Sequence, residues 1–308
     1  MPGTRTALFS RNQPGGIFAI ADQALTTGDS WFVDSVTGTN AVGYGQNPDA
    51  PFKSLDYAVS RVSNNKGDRI YVMPGHIETL TAAGSSLGNG GVFIGSTLSN
   101  DVEIIGLGVG RHRPVLNYTT AAAASMNITA ANVTLRNLVF TPNGFGAITA
   151  AVNVTGADVT FDNCDFQIST GTNACLLGIL TAATAARLKV LNCRFLGPAT
   201  STQTCTAAIS HEVGIDFVIK GCEFIGKLTQ GILNAATILG GLIDSNRFHI
   251  YTGTEGISIA AGTTCFIVNN YFCVPSGTAP VIAAGASLAA NFYTTEGNGP
   301  TAGTALAW

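Results

Sequence analysis

Apolar and polar residues alternate at period two in short runs along this chain, and the runs recur. Val133-Thr-Leu-Arg-Asn137-Leu-Val-Phe140, Val159-Thr-Phe-Asp-Asn163-Cys-Asp-Phe166 and Leu188-Lys-Val-Leu-Asn192-Cys-Arg-Phe195 are versions of one unit. So are Phe217-Val-Ile-Lys-Gly221-Cys-Glu-Phe224, Gly241-Leu-Ile-Asp-Ser245-Asn-Arg-Phe248 and Cys265-Phe-Ile-Val-Asn269-Asn-Tyr-Phe272, and a degenerate copy ends at Asn291-Phe292. Period two predicts strands with one buried face. The closing Phe residues lie 26, 29, 29, 24, 24 and 20 positions apart, the length of one solenoid coil.

Within each unit the apolar phase slips by one residue at a fixed column: Asn137, Asn163, Asn192, Gly221, Ser245, Asn269. A slip with apolar residues on both sides predicts a tight corner, where the backbone must enter the left-handed region that Gly and Asn tolerate best. Stacked at about 4.8 Å per coil, Asn137, Asn163, Asn192 and Asn269, with Gly221 among them, are expected to form an asparagine-type ladder along the axis that satisfies corner amides. The next column, Leu138, Cys164, Cys193, Cys222, Asn246, Asn270, reads as small buried side chains rather than a metal or catalytic row. The column after it holds Asp165, Arg194, Glu223 and Arg247, alternating in sign, and predicts a structural charge ladder. The predicted fold is therefore all-β, a single-stranded parallel β-helix or solenoid.

The first third reads differently. Trp31-Phe-Val-Asp34 is a short predicted strand, and a Gly- and Asn-rich loop runs to Pro51. Ser54 can N-cap a helix with Leu55, Ala58, Val59 and Val62 on one face and Asp56 in its first turn; Gly67-Asp68 ends it, and Arg69–Met73 follows as a strand. A solenoid needs its open end covered, so this short N-terminal helix is the expected cap. The predicted division is 1–30 an N-terminal attachment arm, 31–75 the cap, 76–297 the β-helix, and 298–308 a C-terminal arm.

Composition narrows the function. Charged residues are 11% of 308, where soluble domains average roughly 25%, against 46% hydrophobic. Fifteen Lys and Arg, scattered without runs, exclude a nucleic-acid surface or an anionic membrane surface as partner. No apolar run reaches the ~18 residues of a spanning helix, and residues 1–10 lack the apolar core of a secretory signal, so folding in a cytoplasm is expected. Seven Cys without a Cys-x-x-Cys pair suit reduced, buried thiols; no metal and no cofactor are expected. So little charge on a chain without spanning segments suggests a surface that meets other protein.

The run Phe32-Val-Asp34, Asn47-Pro48, Pro51-Phe-Lys-Ser-Leu55, Ala58 and Gly67-Asp68-Arg-Ile-Tyr-Val-Met-Pro-Gly75, followed by the Asn-Cys-x-Phe coils, resembles right-handed parallel β-helices of the pectate-lyase-like superfamily. Within that superfamily it is similar to compact β-helix proteins of tailed bacteriophages. The resemblance implies a fold shared by lyases, hydrolases, tailspikes and inert virion proteins, so activity has to be argued from a site. A hydrolase needs two carboxylates about 5 to 9 Å apart. The best acid–base group is His211 and Glu212 with Asp216. Asp162 and Asp244 share a column three coils apart, roughly 14 Å, too far for a pair.

The leading expectation is a non-enzymatic phage virion structural protein. It would be a homotrimer decorating the capsid as a cement protein or head spike, assembled in the bacterial host cytoplasm and exposed on the virion surface. Its partners would be the major capsid protein or a neighbouring decoration protein, reached by the terminal arms through Arg5, Arg11, Phe18 and Trp308 unless these are plain tails. The alternatives are a tailspike-type depolymerase acting on a bacterial surface polysaccharide through His211, Glu212 and Asp216, and a glycan-binding protein without turnover.

Overall fold

The computed structural model describes residues 28–295, apart from 89, 98, 120, 144–146, 171–172, 183, 198–204, 213–214, 238, 252–254, 276–278 and 284–285, together with 304–305. Each coil contributes three strands, as in Thr160–Asp162, Asp165–Gln167 and Asn173–Thr181. Each pairs in parallel with its counterparts one coil before and one after. Three sheets result, and eight complete coils run from Asp68–Val72 to Ala279–Ala283. The all-β parallel solenoid is thus the one that the repeat predicts.

The phase slip is the corner between the first and second sheets. Asn137, Asn163, Asn192, Gly221, Ser245 and Asn269 all take φ between 53° and 66°. At Gly221 a Cβ would lie 2.8 Å from Asn192 Oδ1, so that coil needs glycine for space as well as conformation. The ladder itself stands one residue further on than predicted. In the corner column Asn163 Nδ2 donates to Asn137 Oδ1 (3.3 Å), but Asn192 donates to Asp162 (3.2 Å) and Asn269 to Asp244 (3.1 Å). The continuous ladder is buried, through Asn246, Asn270 and Asn291: each Oδ1 accepts the backbone N–H one coil back at 2.8–3.0 Å, and each Nδ2 donates to a carbonyl. The corner column points outward, where water competes for its amides; the next column points into the core, where backbone groups have no such alternative. Cys164, Cys193 and Cys222 occupy the same column in earlier coils and give their thiols to carbonyls.

Inside, Phe140, Phe166, Phe195, Phe224, Phe248 and Phe272 form one parallel stack with ring centroids 4.6–5.0 Å apart. Small residues of the third sheet make room for it. Added Cβ atoms at Gly231 and Gly256 would come within 2.7 and 2.8 Å of the rings of Phe248 and Phe272.

The cap is smaller than the apolar pattern predicts. The helix spans only Leu55–Val59, N-capped by Ser54, whose hydroxyl accepts from the Tyr57 N–H. Its buried Leu55, Ala58 and Val59 close the first coil. Val62 is buried beyond its end, and Asp68 does not terminate it. Asp68 opens the first complete coil: its buried carboxylate accepts from the N–H groups of Asp29 (2.8 Å) and Ser63 (2.7 Å). The solenoid therefore reaches back into the segment assigned to the cap. At the other end Thr304–Ala305, inside the predicted C-terminal arm, pairs antiparallel with Phe292–Thr295. Arg5, Arg11, Phe18 and Trp308 lie outside the described residues.

Candidate functional site

The three residues of the proposed acid–base group do not share a surface. His211 ends the strand Cys205–His211 with its ring inside the coil, against Phe217 at 5.1 Å. Glu212 and Asp216 are exposed. Asp216 stands among a second set of left-handed residues, with Asp101, Asn132, Asp158, Arg187 and Gly240, at the start of the strands of the first sheet or just before them. Sequence proximity brought the three together, but consecutive residues at a strand end face opposite sides.

His211 has a structural chemistry instead. The Thr181 hydroxyl accepts from the Glu212 N–H (3.2 Å) and hydrogen-bonds His211 Nδ1 (2.6 Å), while His211 Nε2 is buried without a hydrogen-bond partner among the described residues. Burial pushes the imidazole pKa down to about 4. Between about 4 and the unfolded value near 6.5 the unfolded chain binds the extra proton. Stability is therefore complete above pH 6.5 and falls as the pH drops toward 4, by roughly 3 kcal/mol over the window. Denaturant titrations at pH 7 and pH 4.5 are expected to show this loss, and the His211→Asn variant to reduce it.

The charges are segregated by sheet. On the second sheet the predicted ladder is in register, with ion pairs Asp165–Arg194 (2.8 Å) and Glu223–Arg247 (3.4 Å). Arg113, from two coils back, adds a contact to Asp165 at 2.9 Å. No sequence signal marked it, because it follows the 3-10 turn Gly110–His112, outside the repeat unit. The first sheet carries a second ladder: Arg69–Glu103 (3.0 Å), Glu103–Arg136 (3.2 Å) and Arg136–Asp162 (3.2 Å), with Lys220–Asp244 (2.8 Å) further along. The residue before each corner Asn, read down the repeats, was the signal for it. Such exposed pairs contribute about 0–1 kcal/mol each, so they set register more than stability. Arg187 holds the Asp158 carboxyl below its usual range, and Lys220 does the same to Asp244.

The third sheet is different. Its eight coil strands contain one acid, Glu255, and no Lys or Arg. Glu255 accepts from Gln230 Nε2 at 2.7 Å. One column of this sheet reads Asn127, Asn153, Leu180, Ser210, Leu233, Ser258 in register, half-buried except for the buried Ser210.

A groove of about 370 Å³ opens on the first sheet, lined by Gly67, Arg69, Asp101, Glu103, Asn132, Thr134 and Arg136. Its two guanidiniums and two carboxylates cancel. Among the described residues, no three His, Cys, Asp or Glu side chains converge as a metal site. Six cysteines are buried as free thiols, with Cys205 raised to about 12 by burial and Cys193 well above its ordinary value.

No family model and no curated protein matches the sequence. Among solved structures the chain is similar to a rhamnogalacturonan lyase, with 10% identity over 86% of this chain and 87% of that one and a TM-score of 0.52. It is also similar to pectate lyase Pel9A (11% identity, 89% and 81% covered, TM-score 0.44) and to PfbA, a surface adhesin of Streptococcus pneumoniae (16% identity, 78% and 62% covered, TM-score 0.43). At such identities a likeness speaks for the fold alone. Stacked parallel coils, three sheets and the likeness to the rhamnogalacturonan lyase structure together establish the fold as an all-β parallel β-helix.

Proposed function

We propose that the protein is a non-catalytic structural building block that assembles as a homotrimer through the outer face of its third sheet. The segregation of charge carries this reading: two sheets spend their ionic side chains on axial ladders, while the third presents a neutral face of Leu, Asn, Ser and Thr. A neutral, half-apolar flank on a rigid rod suits lateral packing about a rotation axis, whose heterologous contact closes into a ring. The likeness of the corner motifs to compact phage β-helices makes the surface of a bacteriophage particle the proposed setting. His211 turned inward, on the other side of the strand end from the exposed Glu212, weighs against a depolymerase.

Sedimentation of the full-length chain tests the assembly. A trimer mass is expected, and Leu180→Arg combined with Leu233→Arg is expected to convert it to monomer with an unchanged circular dichroism spectrum. A monomer in the unaltered chain, or a mass indifferent to both arginines, sinks the reading. So does release of sugar from a bacterial polysaccharide that falls in a Glu212→Ala variant.

A further inference from the structure

One inward column of the third sheet turns polar partway along the solenoid. It reads Ile128, Val154, Thr181, His211, Asn234, Ile259, in register from coil to coil and buried throughout. Three polar side chains in consecutive coils are thus set between apolar neighbours. Thr181 is satisfied, since its hydroxyl accepts from the Glu212 N–H and hydrogen-bonds His211 Nδ1. The next two residues are not: His211 Nε2, Asn234 Nδ2 and Asn234 Oδ1 are buried with no hydrogen-bond partner among the described residues. An unpaired buried polar atom is costly, and native cores pair nearly all of theirs. Three such atoms on two register neighbours call for one shared partner.

The atoms define its chemistry. The partner has to donate to Asn234 Oδ1, accept from Asn234 Nδ2 and meet His211 Nε2 in whichever tautomer the ring adopts. A small molecule that both donates and accepts does all three. An ion does not fit, because the column is neutral, the Phe217 ring packs against His211 at 5.1 Å, and no opposite charge stands in the column to balance one. Burial depresses the imidazole pKa to about 4, so the ring itself is neutral at pH 7. The backbone bonds from Ala235 N–H to His211 O (3.2 Å) and from Ala260 N–H to Asn234 O (3.1 Å) hold these strand ends in place. Neither side chain can therefore reach solvent by a slip of its strand.

We propose that one internal water bridges His211 Nε2 and the Asn234 amide, joining the strand Cys205–His211 to Leu228–Asn234 inside the core. A water needs two to four polar partners to stay in a protein interior, and these side chains supply three. The bridge lengthens the Thr181–His211 hydrogen bond by one coil, so that a polar chain of Thr181, His211, water and Asn234 runs along the axis. It is an interior site, and it stands whether or not the outer face of the same sheet assembles.

Three measurements on the full-length chain test it. A crystal structure fine enough to show ordered water is expected to place one within about 2.7–3.2 Å of both His211 Nε2 and an atom of the Asn234 amide. An amide turned to bond His211 directly, or the two side chains apart with no density between them, overturns the proposal. The Asn234→Leu variant gives a sign. A dry, unpaired amide would carry a penalty that leucine removes, raising the guanidinium midpoint. With the bridge, leucine takes two of the water's three partners and strands His211, so the midpoint is expected to fall; a rise overturns the proposal. Oxygen-17 relaxation dispersion of the solvent counts waters held inside a protein. Its amplitude is expected to drop by one water per chain in a folded His211→Leu, Asn234→Leu double variant, and an unchanged amplitude overturns the bridge equally.

Discussion

Phe224→Ala is expected to lower the stability of the solenoid by about 3–5 kcal/mol, read as the shift of the guanidinium unfolding midpoint by circular dichroism. Phe224 is fully buried, with Phe195 at 5.0 Å on one side and Phe248 at 4.6 Å on the other. Truncation leaves a ring-sized hole between two planes that the coil spacing holds apart. Backbone hydrogen bonds set that spacing, so the neighbours cannot close on the hole, and both stacking contacts are lost with the buried area. Because each coil contacts only its neighbours, the transition is also expected to broaden or split as the two halves lose their coupling. Phe292→Ala is the contrast. Its ring faces outward beside Tyr271 at 5.6 Å, and the cost should stay within about 0.5 kcal/mol.

Asn270→Leu is expected to cost about 4 kcal/mol by the same measurement, although the replacement is apolar and of similar size. Asn270 Nδ2 donates to the carbonyls of Ile243 and Val268, both at 2.9 Å, and to Asn291 Oδ1 at 3.0 Å. Its Oδ1 accepts from the backbone N–H and the side-chain amide of Asn246 at 2.9 and 3.0 Å. Leucine leaves these groups buried and unpaired, at about 1–3 kcal/mol for each that cannot rearrange. Asn246→Cys should be milder, because Cys222 fills the same column one coil earlier and satisfies carbonyls through its thiol. A uniform cost for both substitutions would mean that volume, not hydrogen bonding, governs the column. An outward corner residue behaves differently again: at Asn163 the left-handed φ of 53° is the main demand, and Asn163→Ala should cost only about 1–2 kcal/mol.

The repeat unit was legible because each coil solves one local problem in the same way. The corner at Asn137, Asn163 and Asn192 needs a left-handed residue whatever its neighbours do, so the column shows in a single sequence. The inward Phe column shows for a similar reason, since period-two alternation is local. The Ser54 cap was legible too, but the helix after it is shorter than its apolar pattern predicts. Its apolar face continued to Val62, while the chain has to turn at Ser60 to reach the first coil.

The candidate site was far less legible. His211 and Glu212 are consecutive, and nothing local says that a strand ends between them with one side chain in and the other out. Arg113 reaches Asp165 from 52 positions earlier, a contact that exists only once two coils are stacked at a particular rotation. The Asn246–Asn270–Asn291 ladder was visible as a column, but its bonds depend on which side of the sheet that column faces.

Sequence alone thus determined the coil length, the corner positions, the inward aromatic column and the sign alternation of the charge ladder, all consequences of short-range sterics and period-two patterning. Tertiary structure alone decided which asparagines are buried, which arginine meets which acid, and that the third sheet is the neutral face. Those features join residues 21 to 52 positions apart. Such contacts are set by the rotation of each coil on the one before it, which no local preference encodes.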